Sequence, residues 1–133
     1  MAMSEVGLVL VYLSLLTIVL VAVQGVLTPL AHGFAYGLGN RDEFKDPTVF
    51  MRRMDRVMNN HLQSLAMSVP LLTVLFAAPV TSVPLAVNGA WVFLLGRIAF
   101  TVAYLIGIPV LRSALWGVGV IGVVMMLVGI FQS

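Results

Sequence analysis

The uncharged run Val6–Leu27 is the feature that most limits what this chain can become. Crossing a hydrocarbon layer of ~30 Å takes about 20 predominantly apolar residues in a helix. This run is long enough, and comparable ones follow Gln63, Leu85 and Ser113. Composition agrees with that reading. Of the 133 residues 61% are hydrophobic and 9% charged, with a mean hydropathy of +1.10, where a soluble domain carries roughly a quarter charged residues. Backbone polar groups in lipid must be satisfied internally, which leaves helices or a closed barrel. The runs lack period-two alternation, so the barrel is excluded. The expected fold is all-α: an integral membrane four-helix bundle forming one domain over 1–133, with helices at about 6–27, 48–77, 85–108 and 113–131.

Punctuation and charge organise these spans. Before the first run the only charge is Glu5, whereas a cleaved signal sequence opens with cations, so the run reads as a retained helix. Pro79 and Pro84 bracket the turn "PVTSVP", and Pro109 is expected to stop the third helix, because proline lacks an N–H and has a fixed φ. Pro70 is expected to kink the second. The long connection His32–Pro47 holds Gly33, Gly37, Gly39 and "RDEFKD", a solvated loop. Arg41, Lys45, Arg52, Arg53, Arg56 and Arg112 lie at the first and third connections, and the termini and the second turn carry no Lys or Arg. The positive-inside rule then places the first and third loops in the cytoplasm and both termini on the opposite side.

Several function classes drop out. The net charge is only +2, leaving no basic surface for a nucleic acid once the helices are in lipid. With no Cys in the chain, any sulfur chemistry must use a ligand's thiol. His32 and His61 have no carboxylate or Cys framework around them in sequence, so no metal site is expected. "GVGVIG" (Gly117–Gly122) matches a dinucleotide fingerprint letter for letter, but it has no preceding strand and reads as helix packing.

The polar residues are the informative ones. At about 100° per residue, Arg52, Arg53, Arg56, Asn59, Asn60 and Gln63 share one face about 120° wide on the second helix, with His61 opposite. Arginines near the interface can snorkel. Asn60 and Gln63 lie deeper and are too short for that, so this stripe must face protein or a polar ligand. Arg97 sits near the middle of the third helix with Thr101 and Tyr104 on its face. A guanidinium keeps its proton, and no Asp or Glu follows Asp55. It therefore needs several neutral acceptors or a bound anion. Ala99, Ala103 and Gly107 form a small-residue stripe suited to close helix approach. Spacing alone leaves two readings open: interhelical polar contacts within the bundle, or a ligand site.

"GRIAFTVAYLIGIPVLRSALW" (Gly96–Trp116) and "DRVMNNHLQ" (Asp55–Gln63) resemble the third-to-fourth helix signature and the second-helix Arg-x-x-x-Asn-x-x-Glu motif of the MAPEG superfamily. These are membrane-associated proteins in eicosanoid and glutathione metabolism, and the likeness is to the microsomal prostaglandin E synthase and microsomal glutathione transferase branches. It covers about Asp46–Trp116. The resemblance implies a homotrimer with glutathione between neighbouring subunits, open to the cytoplasmic side. It implies that Arg53, Arg56, Asn60, Gln63, Arg97 and Tyr104 bind the tripeptide, and that Arg112, followed by Ser113, stabilises its thiolate. The implied activity is a glutathione-dependent transferase or peroxidase acting on lipophilic small molecules that enter from the bilayer. The alternative is a non-catalytic lipid-binding or scaffolding member. Gln63 stands where the family pattern has glutamate, and Phe100 fills an aromatic position without a hydroxyl.

Overall fold

A computed structural model describes residues 2–77 and 83–133. Its elements are α1 (Glu5–His32), α2 (Phe34–Leu38), α3 (Val49–Ala77), α4 (Pro84–Ile106) and α5 (Pro109–Phe131), with no strand among the described residues. The protein is all-helical, and α1, α3, α4 and α5 are each long and apolar enough to cross a membrane. The "PVTSVP" turn falls mostly on residues 78–82, outside the described residues.

Ser4 caps α1 by accepting the Gly7 N–H at 3.1 Å, and Glu5 in the first turn complements the helix dipole. The helix runs past the expected end at Leu27, through Pro29, to His32. So close to the C-terminus, the missing proline N–H forfeits a single ladder bond. Gly33 ends the helix at φ 92°, where its N–H donates to Pro29 O at 2.9 Å. The chain then makes the one-turn α2 inside the segment expected to be loop. Gly37 lies against Pro29 there, and a Cβ on it would come within 2.8 Å of Pro29 Cα.

The α4–α5 corner also differs in detail. Gly107, at φ 84°, stops α4, and the N–H groups of Gly107 and Ile108 both return to Ala103 O. Pro109 opens α5 rather than ending α4, because proline suits the first helical position. Arg112 and Ser113 therefore belong to the first turns of α5. The two helices pack through small residues, while of the Ala99–Ala103–Gly107 stripe Ala103 is buried and Gly107 lies against Arg53 of α3. Gly96 meets Gly119, Gly89 meets Gly122 and Met125, and Ala86 meets Gly129. Gly119 and Gly122 of "GVGVIG" are thus buried packing positions.

Two apolar clusters hold the bundle. One gathers Val9, Leu72, Leu75, Ala90, Phe93 and Met126, and the other Leu20, Met54, Val57 and Met58. On α3 the buried face is Met54, Val57, Met58, His61, Ser64 and Ser68. His61 is fully buried and its Nε2 lies 2.7 Å from Thr17 Oγ1 on α1. Across the helix, Arg52, Arg56, Asn59 and Gln63 are exposed. Elsewhere the outer surface is apolar, with Leu15, Ile18, Val21, Leu95, Val102 and Val124 among many exposed residues, as a bilayer requires.

Candidate functional site

Asn60, Phe100, Tyr104, Arg112, Ser113 and Trp116 line one cavity of about 220 Å³ where α3, α4 and the start of α5 converge. Four of the eight residues singled out from sequence, Asn60, Tyr104, Arg112 and Ser113, meet here. The geometry follows from local rules. Tyr104 lies one turn after Phe100 on α4, and Trp116 one turn after Arg112 on α5. The tight corner at Gly107 folds these two pairs onto one another.

An alternating ladder of cations and rings lines this region. The Arg97 guanidinium sits 4.6 Å from the Phe100 ring centre, Phe100 and Tyr104 are tilted with centres 5.6 Å apart, and the Arg112 guanidinium sits 4.6 Å from the Tyr104 ring centre. Ring faces attract cations, so two guanidiniums are held in place without carboxylates. Ser113 Oγ donates to Pro109 O at 3.2 Å, which keeps that hydroxyl beside the first turn of α5. The half-buried Arg112 and the N-terminal dipole of α5 both favour an anion at this spot.

The other four residues lie elsewhere in the protomer. Arg97 is only 2% exposed and does not line the cavity. Its Nη1 donates to Asn60 Oδ1 at 2.7 Å, while Nε and Nη2 have no partner among the described residues. Arg53 turns to the α4 terminus, donates from Nη1 to Leu105 O at 3.1 Å and lies against Gly107. A cation at a helix C-terminus satisfies free carbonyls. Arg56 and Gln63 point outward on the exposed ridge of α3. The buried Arg97 and this ridge are thus separated: the first faces into the bundle and the second away from it.

Phe100 and Trp116 complete the cavity wall and were not among the candidate binding residues. Helical spacing was the available signal, since Trp116 follows Arg112 by four positions and Phe100 precedes Tyr104 by four. What spacing could not supply was the α4–α5 register that lays one pair over the other.

The donor set suits an anionic ligand with acceptor oxygens or sulfur. A cavity of about 220 Å³ admits a small group or part of a larger ligand. Compared with known proteins, residues 5–132 match the family model described as MAPEG family. No curated protein and no solved structure matches the chain.

Proposed function

This chain belongs to the MAPEG family, and on that premise we propose that it is a membrane-embedded glutathione-dependent transferase or peroxidase for lipophilic electrophiles. The observation that carries this reading is the convergence of Asn60, Tyr104, Arg112 and Ser113 on one cavity at the bundle's polar end. When bound, glutathione would supply a thiol whose sulfur bonds to an electrophilic carbon as the leaving group departs. With a peroxide, the sulfur would attack one oxygen so that the O–O bond breaks and an alcohol leaves, a second glutathione then reducing the sulfenate to disulfide and water. Arg112, which lines the cavity, would set a fixed positive charge beside that sulfur and favour the thiolate, the nucleophilic form. Its position over Tyr104 restrains the guanidinium, so little reorganisation is needed when charge develops. Asn60 holds acceptor groups of the peptide, and the apolar walls of Phe100 and Trp116 admit the lipophilic partner from the bilayer.

The exposed ridge supports an assembly. Arg56, Asn59 and Gln63 on the outer face of a spanning helix are costly in lipid. In the proposed homotrimer a neighbouring copy covers this ridge, and Arg56 and Gln63 contact the part of the ligand that the cavity cannot hold. The first and third loops face the cytoplasm in this arrangement. A second reading, a non-catalytic lipid-binding or scaffolding member, draws on Gln63, an amide where a carboxylate would balance a ligand's ammonium group.

Thermal unfolding of the protein in detergent tests binding. Millimolar glutathione should raise the midpoint, as any ligand of the folded state does, and an unchanged midpoint contradicts the proposal. Arg112→Ala should lower conjugation of a lipophilic electrophile at least about tenfold, the scale of one lost charge-assisted bond. Undiminished turnover in that variant would remove Arg112 from the mechanism and favour another source of thiol activation.

A further inference from the structure

Asn60 links the buried Arg97 to the cavity by a hydrogen bond, and that bond fixes which end of its amide is left for the cavity. A guanidinium has donors and no acceptor. The atom that Arg97 Nη1 touches at 2.7 Å must therefore be the amide oxygen, because the reverse orientation would set N–H against N–H. Asn60 lines the cavity, and with Oδ1 engaged by Arg97 the end of its amide left for a ligand is Nδ2, a donor. Arg97 is held in turn: it is 2% exposed and stacked 4.6 Å from the Phe100 ring centre. With no carboxylate partner among the described residues, nothing there competes with Asn60 Oδ1 for Nη1.

We infer that Arg97 is a positioning residue rather than a ligand-binding one: it locks Asn60 as a donor and thereby makes the cavity selective for groups that present acceptors, carboxylate or amide carbonyl. This deepens the glutathione reading and rests on it for the choice of ligand, but the amide's orientation does not depend on glutathione. A free asparagine amide can turn over and offer either end. The locked one cannot, so the cavity rejects ligands that present an ammonium group there.

The near-isosteric substitution Asn60→Asp separates this role from a merely structural one. The new carboxylate satisfies Arg97 with one oxygen and turns the other, an acceptor, into the cavity. The expected result is a midpoint of unfolding equal to or above that of the wild type, with glutathione affinity reduced at least about tenfold. Folded Asn60→Asp that binds glutathione as the wild type does overturns the inference.

Side-chain amide NMR of Asn-labelled protein without ligand reads the lock directly. Asn60 should give one sharp amide pair in the wild type and in Arg97→Lys, where one N–H suffices to hold it, and a broadened or doubled pair in Arg97→Met. An Asn60 pair indifferent to Arg97→Met overturns the inference even if glutathione binds. Wild type that binds no glutathione yet shows the Arg97-dependent pair supports the lock and overturns only the glutathione reading.

Discussion

Glycine placement shows how finely single residues set the α4–α5 interface. A Cβ on Gly122 would stand 2.5 Å from Phe93 N and 2.7 Å from Gly89 O, backbone atoms that cannot give way. Around Gly117, five residues earlier on the same helix, nothing lies within 4 Å of such a Cβ. Gly122→Val should therefore cost about 1–3 kcal/mol of stability through overpacking, while Gly117→Ala leaves it unchanged or raises it. Denaturant unfolding in micelles reads both, and equal effects would contradict the close approach described. The site has the same grain. Asn60, Tyr104 and Arg112 were readable as individual polar residues in apolar helices. The apolar wall was less so: Phe100 stood out only as an aromatic position without a hydroxyl, and Trp116 looks like an ordinary membrane-helix residue until the partner helix is in place.

At the scale of elements, the helix pairs are joined by a few polar contacts across an apolar interior. His61 and Thr17 tie α3 to α1. A double-mutant cycle with His61→Leu and Thr17→Val should return a coupling of about 0.5–1 kcal/mol, the range for hydrogen bonds between membrane helices. Zero coupling would mean the two side chains stabilise the fold independently. The four spanning helices were legible because hydropathy and chain length leave lipid few alternatives. Their ends were less so. Pro109 signals a break, but whether proline ends one helix or begins the next depends on the positive φ at Gly107, a tertiary choice made with Arg53 packed against it. Arg53 is instructive for the same reason. On a helical wheel it belongs with Arg56 and Asn60, whereas its length lets it reach the α4 terminus instead.

For the whole molecule, the unresolved demand of a single protomer is the polar ridge of α3 in an apolar surrounding. The proposed assembly removes that demand and completes the site together. In mild detergent the particle should carry about three times the protomer mass of 14.3 kDa once bound detergent is subtracted, and a monomer that still binds glutathione would contradict the shared site. The helical wheel placed the Arg52–Gln63 stripe on one face, yet it could not say that Arg97 points the opposite way from most of it. That division comes from α3 burying His61, Ser64 and Ser68 against its neighbours; the wheel set His61 opposite the stripe but could not say which of the two faces the bundle covers. The central claim is that a guanidinium held at the start of α5 turns a bound thiol into a thiolate. Ultraviolet difference absorbance on adding glutathione at neutral pH measures this directly. The expected result is a saturable thiolate band in the wild type that vanishes in Arg112→Ala. Saturable binding with no thiolate band, or a band of equal strength in the variant, would contradict it.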